Sequence, residues 1–333
     1  MPPLPVVTVV IPAFNAAMFL PEAIRSIQQQ SLSDWELILV DDGSTDGTAA
    51  AADQMAGSDT RIRLVRLGQN QGIARACNIA FDQARGQFIA RLDADDLAVP
   101  HRLASQVAAF RDADRLAMVG SHARVFGRAE GVAYCTLGDA NIKARLLDGP
   151  NNIGGSLMMV RAAFVRQHNI RFDEQIASAE DIDYAMSIMV AGGDLENVDE
   201  VLLENRQHTA SFTASRTDEA RYSLQTVRRR LLGYWYPTLD RGDIDLIVAM
   251  FFEPYPAHTE AVLTTVRAVD RLVTATARDF GQSIPTVHEI ILGRLPKMAV
   301  LYRDHGLLTP SHLEAIRCFV APETYRSLEA LYP

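Results

Sequence analysis

The chain is short of cysteine, tryptophan and positive charge, and it contains no long apolar run. Its three cysteines, Cys77, Cys135 and Cys318, are odd in number and far apart, which excludes a disulfide framework or a cysteine-based zinc site and marks them as reduced thiols. Only 32 basic side chains stand against 41 acidic ones, a formal net charge of -9. Binding a phosphate backbone needs a clustered positive surface, so no nucleic acid is expected as a partner. No apolar stretch approaches the ~18 residues that cross a bilayer, and residues 1–5 lack the basic start and apolar core of a secretory signal. The expected compartment is the cytoplasm. What remains is 48% apolar and 22% charged residues in 333 positions, an ordinary globular balance whose length suggests two domains at roughly 150 residues each.

Apolar runs at 6–11, 36–40, 62–67 and 88–92 alternate with helical periodicity at 20–30 and 73–84. Strands alternating with amphipathic helices predict βαβ crossovers, hence an α/β fold with a mostly parallel sheet and helices on both faces. Further strands are expected at 117–120, 123–126, 132–136, 156–160 and 198–203, and helices at 140–147, 161–168 and 181–190. From about 217 onward the pattern is helical and punctuated by proline. The expected organisation is therefore an α/β domain at 1–215 and a C-terminal helical appendage at 216–333.

In an open sheet of this kind, ligands sit beyond the carboxyl ends of the strands. That edge is where the sequence collects its acids. Asp41-Asp42-Gly43-Ser44-Thr45-Asp46-Gly47 follows one buried run, and Asp93-Ala94-Asp95-Asp96 follows another. Three carboxylates so close together repel unless they are solvated or neutralised by a hard cation. Two readings stay open for the second cluster, a divalent-ion site and a polar turn before the next helix. For the first they are a ligand site and an Asp-Gly turn with a helix cap.

Five segments in order resemble family 2 glycosyltransferases: Val9 with Val10-Ile11-Pro12-Ala13-Phe14-Asn15, then Val40 through Thr48, then Asn70-Gln71-Gly72-Ile73-Ala74-Arg75-Ala76-Cys77-Asn78, then the Asp93-x-Asp95 turn, then Glu180-Asp181-Ile182-Asp183. The likeness reaches to about residue 210. It implies a GT-A (Rossmann-like) fold, a nucleotide-diphosphate sugar donor with uridine as the favoured base, a divalent cation (Mn²⁺ or Mg²⁺), and inversion at the anomeric carbon. By position it implies that Asp42 accepts a hydrogen bond from the base, that Pro12 and Ala13 approach the base through backbone atoms, and that Asp41 and Asp93 lie near the ribose. Asn15, Arg75 and Ala94 join this donor-binding set, while Asn78 is expected to be structural. Asp95 is the implied metal ligand, with Asp93 in support. His208, in a stretch with Arg206, Gln207, Ser211 and Thr213, is expected as a further metal ligand or a phosphate contact.

The chemistry asks for the same parts. A departing nucleotide diphosphate gains negative charge that a cation can offset, and the attacking hydroxyl needs a carboxylate base within hydrogen-bond reach. Asp181 is the expected base, its carboxylate pointing outward from a helix start, with Glu180 in reserve. Residues 149–156 offer a pocket floor for the acceptor or merely tight glycine turns. Arg228, Arg229 and Arg230 with Trp235 and Tyr236 read either as an interfacial patch that would suit a lipid-linked acceptor or as a solvated basic face beside buried aromatics. Acceptor access, homo-oligomerisation or peripheral membrane contact is the expected role of the C-terminal helices, and the expected acceptor is a glycan or a lipid-linked saccharide of surface polysaccharide synthesis. The alternatives are a non-catalytic nucleotide-sugar-binding module and a haloacid-type phosphatase, whose Asp-x-Asp-Gly-Thr loop is not matched because Asp41 and Asp42 are adjacent.

Overall fold

The computed structural model describes residues 4–149, 152–208, 217–252, 259–304, 308–317 and 320–329. Cys318, Ser211 and Thr213 lie outside them. The chain forms two compact units, Met1–Ile142 with Pro150–Ser223, and Lys143–Gly149 with Leu224–Pro333.

The first unit is built on a nine-stranded mixed sheet. Its parallel core consists of β1 (Val7–Ala13), β2 (Trp35–Asp41), β3 (Ile62–Arg66) and β4 (Phe88–Arg91), in the order β3-β2-β1-β4. The chain between and after these strands coils into α1 (Leu20–Gln28), α2 (Thr48–Ser58), α3 (Ile73–Gln83), α4 (Arg102–Ala109), α5 (Asp139–Arg145), α6 (Ala162–Gln167) and α7 (Glu180–Val190). β1 and β2 are buried along their whole length, which is why their sequences read as continuous apolar runs. Alternate residues serve different faces. Val7, Val9 and Ile11 join Leu37 and Leu39 in one core with Leu20, Ala23, Ile24 and Ile27 of α1. Each such Val, Leu or Ile side chain, fully removed from water, contributes on the order of 1.5–3 kcal/mol. On the other face Phe81 of α3 meets Tyr184 of α7 edge-on, ring centroids 5.9 Å apart.

Pro12 does not end β1, as its ring would suggest, but lies inside the strand opposite Val40. The carbonyl of Val10 accepts from Leu92 N on the β4 side, and Pro12 faces the same way, beyond the last β1–β4 pair at Val10 and Arg91. Its missing N–H therefore costs no ladder bond.

The later strands are longer than their periodicity suggests. The expected runs at 117–120 and 123–126 merge into β6 (Leu116–Gly127), and the run at 198–203 is the centre of β9 (Asp194–Gln207), which pairs parallel with β6. The run at 156–160 divides into a 3-10 turn, Gly155–Leu157, and β8 (Met159–Arg161), antiparallel to β4. β5 (Leu97–Ala98) adds to β9 and β7 (Gly131–Ala133) to β6.

The second unit is helical. Here the basic-aromatic segment is not a surface patch. Trp235 and Tyr236 are fully buried and Arg228 nearly so. The Arg228 guanidinium donates from Nε to the Leu147 carbonyl at 2.7 Å and lies over the rings of Phe251 and Phe252 at 4.5 and 4.7 Å. Burial pulls it down to about 10, against the usual arginine range. Among the described residues no helix is long and apolar enough to cross a membrane.

Candidate active site

The chain leaves β1 for β2 and β3 on one side and returns to place β4 on the other. A crevice at the carboxyl ends of such strands is where open α/β sheets bind ligands. Both acidic turns open there.

On the β1–β2 side the loops are stitched together by short polar side chains. Asp42 N donates to the Ala13 carbonyl at 2.8 Å. Asn15, held at φ 49°, donates its N–H to Ser44 Oγ at 3.0 Å, and its Oδ1 accepts from Thr45 N at 2.9 Å. Asp41 Oδ1 accepts from Ser44 N at 3.1 Å. Gly43 sits at φ +71°, where a Cβ would come within 2.6 Å of Gln69 Cα; only glycine allows the two loops so close. Asp42 is buried, and its two oxygens accept from Gln71 N at 2.8 Å and Gly72 N at 2.9 Å, the amides that precede α3. Burial raises its pKa, with Asp41 adding to the effect and the two amides opposing it. Asp42 is thus part of the frame at this turn. Arg75, on the first turn of α3, donates from Nη1 to Glu174 Oε1 at 3.1 Å and is partly exposed. Asn78 is buried and exchanges hydrogen bonds with the main chain of Phe172, a structural role as expected.

The turn after β4 distributes its three acids differently. Asp96 is buried and accepts from Asn205 Nδ2 at 3.1 Å and Arg206 N at 2.9 Å, which ties the end of β9 to the turn. Burial, then Asp93 and Asp95, push its pKa up to about 7. Asp95 is half-buried, and its Oδ2 lies 3.0 Å from His208 Nε2. Its pKa is raised by burial and by Asp93 and lowered by His208. The His208 ring leans on Phe19, centroids 4.5 Å apart, and Arg206 Nε donates to the Asp95 carbonyl at 3.0 Å. Asp93 Oδ1 accepts from Arg91 Nε at 2.8 Å, and its N–H donates to Ser156 Oγ at 2.8 Å. Ala94 is buried in the core, where a larger side chain would displace the turn.

Glu180 and Asp181 open α7, after Ala179 in the left-handed region at φ 70°. Glu180 is buried and accepts from Arg91 Nη1 at 2.9 Å. Asp181 does not point freely outward. It is half-buried, its Oδ1 accepts from Ile182 N at 2.8 Å, and its Oδ2 lies against Gly154, where a Cβ would approach to 2.7 Å. Burial first, then Glu180, push its pKa up to about 7, while Arg91 and the Ile182 amide pull the other way. Of the expected acceptor-floor segment, Gly154 and Gly155 lie beside Asp181, where a Cβ on either would meet its Oδ2 at 2.7 and 3.4 Å; residues 150–151 lie outside the described residues.

Two carboxylates at the turn are hard oxygen donors of the kind that hold Mn²⁺ or Mg²⁺, and an imidazole lies beside them. Among the described residues no three acidic, histidine or cysteine side chains already form a cage. An ion held by one or two carboxylates and by substrate phosphates needs none, so the donor set fits.

Arg91 has no role among the sequence-based expectations, although an arginine inside an otherwise apolar strand beside three acids is a usable signal. The partnership of Asp96 with Asn205 has no local signal, because the two are 109 residues apart.

Residues 8–164 match the sequence pattern of Glycosyl transferase family 2. An uncharacterized glycosyltransferase of Haemophilus influenzae is 28% identical over 256 residues, covering 73% of this chain and 77% of the relative. The glycosyltransferase EpsE of Bacillus subtilis is 32% identical over 209 residues, 62% of this chain and 75% of the relative. The teichuronic acid biosynthesis glycosyltransferase TuaG of B. subtilis is 40% identical over 103 residues, 31% of this chain and 41% of the relative. S. aureus TarS in complex with UDP-GlcNAc superposes with a TM-score of 0.59 at 15% identity, over 98% of this chain and 90% of that one. The mannosyltransferase PcManGT of Pyrobaculum calidifontis, in complex with GDP-Man and Mn²⁺, superposes with a TM-score of 0.51 at 18% identity, over 99% and 84%. At such identities these likenesses concern the fold, and the chain spans 55% of a longer TarS chain. The family match and EpsE show that the chain belongs to family 2 of the glycosyltransferases.

Proposed function

We propose that the protein transfers a sugar, with inversion, from a UDP-sugar to a saccharide or lipid-linked acceptor in the synthesis of a surface polysaccharide. One observation carries this reading. A single buried arginine, Arg91, joins Asp93, in the turn that also carries Asp95 and His208 against it, to Glu180, the neighbour of the Asp181 carboxylate, which is poised near neutrality. The place of TuaG in teichuronic acid biosynthesis and the UDP-GlcNAc bound by TarS support the substrate class.

In this reading Pro12, Ala13, Asn15, Asp41, Asp42 and Arg75 receive the nucleotide, and Asp93, Asp95 and His208 hold Mn²⁺ or Mg²⁺. The bound cation offsets the negative charge that gathers on the leaving diphosphate. Asp181 takes the proton of the attacking hydroxyl. Its neighbour Glu180 is engaged by Arg91, which leaves Asp181 as the base. The helical remainder, 216–333, serves the acceptor.

UDP-sugars offered one by one with Mn²⁺, read by thermal shift and by UDP release, test the proposal. One donor should stabilise the protein and be turned over. A chain that binds a donor without turning it over in the presence of any acceptor would be a binding module instead.

A further inference from the structure

Arg91 is the last residue of β4 and is only 2% exposed. Its guanidinium spans two elements far apart in sequence. Nε donates to Asp93 Oδ1 at 2.8 Å, and Nη1 donates to Glu180 Oε1 at 2.9 Å. Its own main chain is fixed on both sides, with the N–H on the Met158 carbonyl at 3.1 Å and the carbonyl accepting from the buried Arg102 at 2.7 Å. A fork of planar donors held in this way has little freedom, and the two carboxylates it grips inherit that order.

Burying the charges of Arg91 and Glu180 is not needed to hold a sheet together, since apolar side chains of similar volume generally serve as well or better. The placement of the partners is more telling. Asp93 is two residues from Asp95, and Glu180 adjoins Asp181. We propose that Arg91 is a positioning residue for sugar transfer: it locks the donor turn to the start of α7 and thereby holds the Asp181 carboxylate at a fixed place relative to the bound donor. The proposal rests on the assignment of Asp181 as base. The charged groups that face Asp181 are Glu180 on its own helix, and Arg91 and Asp93 from β4 and the turn after it. On the Gly154–Gly155 side the carboxylate meets glycine main chain.

The test uses the full chain and its Arg91→Lys and Arg91→Met variants. It reads melting temperature, UDP affinity by calorimetry, and the rate and pH profile of UDP release from UDP-sugars with water as acceptor. Lysine keeps the charge but offers one ammonium in place of a fork. The expected Arg91→Lys protein is folded and binds UDP within about threefold of wild type. Its kcat should fall on the order of 10²-fold, the cost of a small misplacement of a reacting group, with the acidic limb of the pH profile unmoved. In Arg91→Met that limb should also move to higher pH, because Glu180 then faces Asp181 uncompensated. Unchanged kcat in folded Arg91→Lys overturns the proposal, as does a loss explained entirely by weaker UDP binding; if Arg91→Met fails to fold, the lysine variant decides alone. Asp181→Asn in the same assay separates the two readings. Wild-type turnover there removes Asp181 as base, and a wild type inert on every UDP-sugar removes the proposed function and this inference with it.

Discussion

His208 Nε2 lies 3.0 Å from Asp95 Oδ2, and the imidazole ring is backed by Phe19 at 4.5 Å. The two residues are 113 positions apart, and they meet because Asp96, next to Asp95, binds the main chain of Arg206 at the end of β9. If this pair holds a divalent cation, calorimetry should find UDP bound more tightly with Mn²⁺ than with EDTA. His208→Ala should shrink that difference by about tenfold, about 1.4 kcal/mol. Equal affinity in both conditions would remove the metal from the proposal.

Asp42 bears on stability as well as on the nucleotide. A turn carboxylate that touched only ligand could be truncated without harm, but this one satisfies two amides at the start of α3. Asp42→Ala is expected to cost about 0.5–1.5 kcal/mol for each of the two part-buried hydrogen bonds lost, visible as a melting temperature lower by a few degrees. Asp42→Asn can keep one of these acceptors and should fall between the two. A variant as stable as wild type would show that water replaces the carboxylate.

The elevated pKa of Asp181, about 7 against an ordinary 3.8, predicts two opposite pH effects. As a base it must be ionised, so turnover should rise with pH through about 7 and level off above it. For stability, the native state holds this proton more tightly than the unfolded chain, so the contribution is complete below about pH 4 and is lost as pH rises through 7. Asp181→Asn should therefore lower turnover by roughly 10² to 10⁴ and raise the melting temperature at pH 8. A flat profile across pH 6–8 in wild type would contradict the assignment.

Gly154 offers a gentler probe of the same carboxylate. Its φ of +139° and the 2.7 Å separation that a Cβ here would have from Asp181 Oδ2 make alanine a wedge at that point. Gly154→Ala should lower kcat while leaving UDP affinity near wild type, measured by UDP release and calorimetry. Loss of UDP binding with retained kcat would place the segment on the donor side.

In the helical unit, Arg228→Ala removes a buried guanidinium that serves the Leu147 carbonyl and two phenylalanine rings. The expected consequence is a loss of about 2–4 kcal/mol, since a partnered buried cation and its packing go together. Denaturant melts of wild type and variant check this. An unchanged midpoint with reduced vesicle binding would restore the surface-patch reading.

The parallel core and the positions of the acids along it are legible in local sequence. β1, β2 and β4 are buried on both faces, so their apolar runs are continuous and legible, and polar turns can follow only where a strand leaves the sheet. The likeness of the five segments to family 2 likewise depended on local order alone. Other features were decided by the tertiary structure. β9 carries polar residues such as Asp194, Glu196 and Asn197 among its apolar ones, and its length is set by pairing with β6, which local periodicity does not record. Of the two readings of the basic-aromatic segment, the structure favours buried aromatics, Trp235 and Tyr236, but it buries Arg228 with them, which local pattern did not indicate. The division of labour among the acids was also beyond local pattern. Asp96 fastens β9, Asp42 binds the two amides before α3, Glu180 pairs with Arg91, Asp95 lies against His208, and Asp181 accepts from the Ile182 amide. Every carboxylate has the same charge in sequence, and what it can do depends on which donors long-range folding brings within about 3 Å of it and on how much water burial takes away.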